Sequence, residues 1–316
     1  NLIEKSEEYI TQEGLENSSA KLFPIGTLLM AMYGQGKTRG KVAILNIEAT
    51  TNQACGAIIT NEEVLNSFFA FQNLVKRYDE IRDLSNQGSQ ENLSGGIIKG
   101  IKITFPKLSE QIKITSFLSL IDERIQTQNK IIEQLETLIK GLCQKLILNQ
   151  VPNKKINNCV SCHSSSLTES DVIDKNGIYP IYGATGVIAF TENSQINEDA
   201  ILIIKDGSGV GKVQYASDKF SVIGTLNYLT VKPDVNLKYI FFCLKFFNFE
   251  KYKVGSGIPH IYFKDYGESL IFCPSLDEQG NIEKLLSSLD EKINLEKTLL
   301  KKYEIQKKNL LQNLFI

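Results

Sequence analysis

The sequence has no tryptophan, and only two histidines and two methionines. With His163 and His260 as the only imidazoles, His-based acid–base or nucleophilic chemistry has little to build on. No other nucleophile constellation stands out, and there is no Asn-Pro-Pro-aromatic run of the adenine methyltransferase kind. No apolar stretch reaches the roughly 18–20 residues that a membrane helix needs. The chain opens Asn1-Leu2-Ile3-Glu4-Lys5, without a signal peptide and without Met, so a cytoplasmic protein with a shortened N-terminus is expected. It also lacks a charge excess: 35 Lys and Arg face 36 Asp and Glu, for a net charge of −1. That sum counts mildly against nucleic acid, although local patches matter more than totals. The six cysteines, Cys55, Cys143, Cys159, Cys162, Cys243 and Cys273, are scattered, mostly through apolar stretches. This fits a reduced protein better than a disulfide framework.

An internal repeat decides the organisation. Placing Pro106 on Pro274 also places Leu108 on Leu276 and Glu110-Gln111 on Glu278-Gln279. Further along, Ile114 falls on Ile282, Leu118-Ser119 on Leu286-Ser287, Asp122-Glu123 on Asp290-Glu291 and Ile125 on Ile293. Glu136, Lys140, Leu142, Gln144 and Leu146 recur as Glu304, Lys308, Leu310, Gln312 and Leu314. The register holds without a gap, which indicates duplication.

Each copy is a long helix with a heptad seam. The first seam runs Leu118, Ile121, Ile125, Gln128, Ile132, Leu135, Ile139, Leu142, Leu146. The second runs Leu286, Leu289, Ile293, Glu296, Leu300, Tyr303, Lys307, Leu310, Leu314. A helix of about 40 residues spans roughly 60 Å at 1.5 Å per residue and cannot bury its stripe against one small domain. The simplest solution packs the copies on each other, through Leu118, Ile121, Ile125, Ile132 and Leu135 and through Leu286, Leu289, Ile293, Leu300 and Tyr303. Gln128 and Glu296 share one seam position, as either a register-fixing polar residue or a gap near solvent.

Matched globular segments precede the helices. In 151–273, Ala200-Ile201-Leu202-Ile203-Ile204 and Val213-Gln214-Tyr215 read as strands between Gly and Asn turns, followed by a helical block from Lys238 to Leu244. In 1–105, Leu28–Met32, a Gly turn and Lys41–Leu45 come in the same order, then a helical block from Glu62 to about Asp83. The equivalent of about 151–187 is missing from the first copy.

Two motifs invite other readings. Ala31-Met32-Tyr33-Gly34-Gln35-Gly36-Lys37-Thr38 fits a loose phosphate-loop pattern, but a phosphate loop needs a helix directly after it. Here Arg39–Leu45 reads as a strand. The second copy, Asp206-Gly207-Ser208-Gly209-Val210-Gly211-Lys212, lacks the Lys-Thr pair. A Gly-rich strand-to-strand turn is expected instead, whose cations Lys37, Arg39, Lys41 and Lys212 suit DNA phosphates or guanine edges. Cys159-Val160-Ser161-Cys162-His163 matches c-type haem attachment. That chemistry needs export, a second axial ligand is scarce, and a zinc site lacks a fourth ligand nearby. No metal site is expected.

Taken in order, these motifs resemble the specificity subunits of type I restriction–modification systems. The resemblance rests on Pro106-Lys107-Leu108-Ser109-Glu110-Gln111 with Ile114, Leu118, Ile121, Asp122 and Ile125, and on its repeat from Pro274. Tyr179–Gly186 looks like the opening of a target recognition domain. Gly88–Leu93 and Gly255–Ile261 look like the Gly-Ser turns before a closing strand, and Tyr9–Leu15 looks like recognition-domain sequence met midway.

The resemblance implies an α+β chain: two α/β target recognition domains joined by two long antiparallel coiled-coil helices in a pseudo-two-fold repeat. Its parts would be 1–105, a first recognition domain that is incomplete at its N-terminus; 106–150, a first spacer helix; 151–273, a second recognition domain; and 274–316, a second spacer helix. It further implies a non-catalytic subunit that reads a bipartite double-stranded DNA target, with the helices as the ruler between halves. Two DNA methyltransferase (modification) subunits would supply S-adenosylmethionine and adenine methylation. Restriction subunits, where present, would supply ATP- and magnesium-dependent translocation and cleavage, and no cofactor falls to this chain. Beside the Gly-turn cations, the expected DNA contacts are Gln87, Ser89, Gln90 and Asn92 in the first half. In the second they are Tyr182, Thr185, Lys205, Ser208, Lys212, Asn227, His260, Tyr262 and Lys264. The competing expectations are a coiled-coil assembly module without DNA affinity and a nucleotide hydrolase built on Gly36-Lys37-Thr38.

Overall fold

The computed structural model describes residues 2–34, 36–85, 91–172 and 177–315. It divides into two compact units, Asn1–Asn129 with Thr298–Ile316, and Lys130–Lys297.

The first unit opens with β1 (Leu2–Ile3), α1 (Gln12–Glu16), β2 (Leu28–Ala31), β3 (Val42–Leu45) and β4 (Cys55–Ile58). The strands form one sheet in the order β1-β3-β2-β4. β2 lies antiparallel between β3 and β4, and β1 runs parallel to β3. Then come α2 (Ser67–Lys76), α3 (Tyr78–Asp83), α4 (Gly95–Gly100) and the start of α5 (Leu108–Cys143). The helical block expected from Glu62 to Asp83 is thus two helices, starting five residues later and broken at Arg77. Residues 61–65 form a turn instead, with the Val64 and Leu65 N–H groups donating to Asn61 O. Leu28, Met30, Val42, Ile44, Phe71, Leu74, Ile81 and Leu93 make the core.

The second unit takes the rest of α5, a π-helical turn (Gln144–Leu148), β5 (Lys154–Lys155), α6 (Ile156–Cys159), β6 (Val160–Ser164), β7 (Tyr179–Gly183) and β8 (Gly186–Thr191). β9 (Ala200–Ile204), β10 (Val213–Ala216), β11 (Ser221–Val222), β12 (Leu226–Val231) and α7 (Leu237–Lys245) follow. The chain then runs through α8 (Phe263–Tyr266) and β13 (Leu270–Ile271) into α9 (Leu276–Leu314). The main sheet is antiparallel in the order β10-β9-β12-β6, beside a three-stranded sheet β11-β7-β8 and the pair β13-β5. β9 is buried along its whole length. Its alternate residues serve different cores: Ile201 and Ile203 join α7 and the long helices, while Ala200, Leu202 and Ile204 join Ile181, Phe220 and Val222. A strand covered on both faces reads as an unbroken apolar run, as this one does.

Both units build the junction between sheet-side helix and long helix in the same way. Asn66 caps α2 by accepting from Phe69 N, and Asn236 caps α7 by accepting from Tyr239 N. The backbone N–H of each cap donates to a buried glutamine, Asn66 to Gln111 Oε1 and Asn236 to Gln279 Oε1, both at 2.9 Å. Each glutamine amide then donates to the preceding proline carbonyl, Pro106 or Pro274, at 2.8 Å. Gln111 and Gln279 are 0% and 1% exposed. The repeated Glu-Gln therefore carries a latch, and its polar atoms are satisfied as burial requires.

Within each unit a stretch of α5 lies antiparallel to a stretch of α9. In the first, Lys307 pairs with Asp122 while Leu118, four residues before Asp122, packs with Leu311, four residues after Lys307, and with Phe315 just past the end of α9. In the second, Lys297 pairs with Glu136, and Ile139 and Cys143 share a core with Ile293 and Leu286. Burial follows the expected seam: Leu118, Ile121, Ile132, Leu286 and Ile293 are buried, and Ile125, Leu135, Leu289, Leu300 and Tyr303 half-buried. Gln128 and Glu296 are buried as well, so the gap near solvent does not occur. From the end of α5 into the π turn the buried positions move from the expected Leu142 and Leu146 to Cys143 and Ile147. A 3.6-residue helix drifts off a 3.5-residue seam, and the π turn adds to the drift. Among the described residues no helix is long and apolar enough to cross a membrane.

Candidate nucleic-acid interface

The hairpins β2–β3 and β9–β10 close with the same bonding pattern. Gly40 N donates to Ala31 O and Gly211 N to Ile204 O, both at 2.9 Å. Gly40 and Gly211 have φ of 81° and 85°, a left-handed conformation that favours glycine. At Gly211 an added Cβ would also lie 2.8 Å from Phe249 Cβ. The turn in the first unit is followed by β3 and not by a helix, so it offers no row of helix N-terminal amides for a phosphate.

A later segment returns across each turn. Leu93 N donates to Met32 O, and Ile261 N to Lys205 O, both at 2.9 Å. These bonds align the units residue by residue: Met32 with Lys205, Tyr33 with Asp206, Arg39 with Val210, Lys41 with Lys212 and Asn92 with His260.

In the first unit Lys37 and Lys41 are exposed on the turn, and Tyr78 Oη donates to Lys37 O at 2.8 Å. Arg39 departs from the expected free cation. It is 6% exposed, as is Val210 at the matching place, and its guanidinium donates to Glu91 Oε2 at 2.5 Å and Glu91 O at 3.1 Å. The turn directs this position inward, where Arg39 ties the returning segment down. Asn92 is half-buried beside it. Gln87, Ser89 and Gln90 lie outside the described residues.

In the second unit the fold gathers Lys205, Ser208, Lys212 and His260 around one turn. Gly207 N donates to Pro259 O at 3.0 Å, and Asp206 bridges to His260. His260 Nδ1 lies 2.7 Å from Asp206 Oδ1, and Lys205 Nζ lies 3.8 Å from Asp206 Oδ2. Asp206 escaped the sequence reading because nothing local ties it to a histidine 54 residues away. Tyr262 and Lys264 follow on the same segment, both exposed, with Lys264 Nζ 5.5 Å from the centre of the Tyr262 ring.

Three expected residues stand elsewhere. Tyr182 and Thr185 belong to the β7–β8 hairpin, in another sheet. Tyr182 is half-buried, packs edge-on against Phe220, and has its hydroxyl pKa pushed up by burial. Asn227 is 7% exposed inside the ladder, opposite Ile203 and Ser164, so its side chain is not presented on the surface.

The Cys159–His163 run does not converge on a ligand. Cys159 is fully buried, and burial pushes the Cys162 thiol up to about 11, opposed by Lys205. His163 Nε2 lies 3.0 Å from Thr230 Oγ1, and its ring stacks on Tyr228 at 4.8 Å. Among the described residues no group of three or more His, Cys, Asp or Glu side chains could hold a metal ion. What the turns do offer is exposed lysines, hydroxyls and amides around rigid backbone, a set suited to phosphates and base edges.

The family profile described as "Type I restriction modification DNA specificity domain" matches residues 3–137 and 153–304. The MjaIX type I restriction enzyme specificity subunit of Methanocaldococcus jannaschii is 29% identical over 153 residues, covering 48% of this chain and 35% of that protein. The match therefore spans about a third of that relative's length. A putative type I specificity subunit of Mycoplasma pneumoniae is 26% identical over 268 residues, covering 79% of this chain and 71% of that one. The crystal structure of a type I restriction–modification S subunit from M. genitalium shares the fold with TM-score 0.71 at 20% identity, covering 94% of this chain and 84% of that one.

Proposed function

The chain belongs to the type I restriction–modification DNA specificity family, and from that premise we propose that its two units read the two halves of a split double-stranded DNA target. The observation that carries this is the matched pair of Gly turns. Each is crossed by a returning segment, and each belongs to one of the two regions that match the family profile. Exposed lysines on and beside the turns, Lys37 and Lys41 in the first unit and Lys212 and Lys264 in the second, suit phosphates. Asn92, Ser208, His260 and Tyr262 are the candidates for base edges.

On this reading the chain supplies an address and no reaction. Two modification subunits bring S-adenosylmethionine and methylate adenine, and restriction subunits, where present, bring ATP- and magnesium-dependent translocation and cleavage. The exposed apolar side chains of the long helices, among them Phe117, Leu120, Leu138, Leu295 and Leu299, offer partner subunits a surface. The nucleotide-hydrolase reading has no support in a turn that leads into a strand.

The test is to co-purify the chain with a type I modification subunit and map methylated adenines in DNA exposed to the complex. The expected result is a split motif with a fixed gap. A single half-motif would mean that one unit does not read, and no association with no methylation would refute the proposal in favour of a coiled-coil module without DNA affinity.

A further inference from the structure

We propose that His260, oriented by Asp206, selects one base of the half-site read by the second unit, its Nε2 accepting from the exocyclic amine of cytosine or adenine. This rests on the DNA-reading function proposed above.

The backbone at this place is held from several sides. His260 N donates to Val254 O at 2.8 Å and Val254 N to His260 O at 2.9 Å, while Pro259 and Ile261 bond to the turn at Gly207 and Lys205. The ring therefore leaves a fixed platform, which a reader of base edges requires. Its Nδ1 is taken by Asp206, its Nε2 has no partner among the described residues, and the side chain is 36% exposed.

The Asp206 carboxylate can only accept. In the neutral ring it keeps the proton on Nδ1 and leaves Nε2 as a bare acceptor. A carboxylate beside the ring also opposes a phosphate there, with Lys205 at 3.8 Å offsetting part of that charge. An uncharged edge that presents an amine suits the pair better. In the major groove those edges are cytosine N4 and adenine N6.

The first unit places Asn92 and Tyr33 where the second has His260 and Asp206, so one position of a shared fold carries two different hydrogen-bonding groups. Two units reading different half-sites need such a difference.

The experiment uses the full chain with its modification subunit and compares methylated-adenine motifs for the wild type, His260→Ala, His260→Asn and Asp206→Asn. His260→Ala is expected to keep the gap and one half-site, and to lose about tenfold of the preference at a single base pair in the other half. Asp206→Asn should weaken preference at the same pair by less, because an amide can accept from or donate to Nδ1 and no longer sets the tautomer. If His260→Ala does not assemble with its partner, His260→Asn, which carries the first unit's residue, replaces it with the same expectation. A variant that retains the full wild-type preference at every base overturns the proposal. So does one that only flattens the salt dependence, which would mark a phosphate contact. A wild-type chain that neither associates with its partner nor directs methylation overturns the DNA-reading function and this proposal with it, and is thereby distinguished from a wild-type motif that survives His260→Ala intact.

Discussion

The first and second units share a turn, the three antiparallel strands that carry it and a latch, and differ in what is added around them. β12 pairs with β6 on its outer side, whereas β4, its counterpart, is the edge of its sheet among the described residues. β9 feeds two cores, while Leu28 and Met30 of β2 feed one. Where the second unit has the β7–β8 hairpin, the first has a short helix, α1. Yet both turns keep the closing bond at a left-handed glycine and the bond to the crossing segment. The turn is thus set by its own hairpin and by the segment returning over it. The additional sheet enlarges the second unit without defining that geometry.

The comparison can be broken most forcefully through the core. Leu118 and Leu286 occupy the same place in the repeat and are both 0% exposed. Truncating either to Ala should cost about 2–5 kcal/mol. Hydrogen exchange should show Leu118→Ala loosening amides of the first unit and Leu286→Ala those of the second; equal loosening of both by either change would show that the units do not open separately. The latch comes next. Gln111→Ala and Gln279→Ala should each cost about 1–3 kcal/mol, since each removes a buried amide and leaves a half-buried cap N–H and a proline carbonyl without their partner. The loss of protection should begin at the first turn of α2 or α7.

A third test separates the cations of the first turn. Removing Lys37 or Lys41 should reduce the slope of log affinity against log salt by about one each. Arg39→Val, which installs the second unit's residue, should leave that slope unchanged and lower stability modestly through loss of the Glu91 tie. The smallest effect is expected at the helix pairs. Glu136 and Lys297 are half exposed, at 50% and 51%, so a double-mutant cycle should return less than about 1 kcal/mol. The Asp122–Lys307 pair should return more, being 24% and 22% exposed with Gln72 donating to the same carboxylate.

Much of the architecture is legible in one sequence because periodicity and duplication are global signals. The heptad steps locate both long helices, and the unbroken run Ala200–Ile204 marks a strand covered on two sides. Glu110-Gln111 and Glu278-Gln279 are visible as a repeat, but their task is not, because a glutamine's partners 43 and 45 residues upstream leave no local trace. Arg39 shows a different limit. Residue type points to a free cation, and only the path of the turn reveals a side chain directed inward. The Asp206–His260 pair is hidden for the reason the latch is: composition near either residue does not depend on the other.

The first unit is assembled from two segments that lie far apart in the sequence, Asn1–Asn129 and Thr298–Ile316. Its helix α2 places Phe69 against Phe315 at 4.8 Å, and Lys76 Nζ donates to Phe315 O across 239 residues of sequence. During synthesis the second unit, Lys130–Lys297, is therefore complete while the first still waits for its closing helix. At roughly 5–20 residues per second the wait lasts about 10 to 50 seconds, and throughout it Leu118 and Phe69 lack their partners Leu311 and Phe315. The half that leaves the ribosome first is finished last, so its apolar side chains stay uncovered while the whole of the second unit is being made.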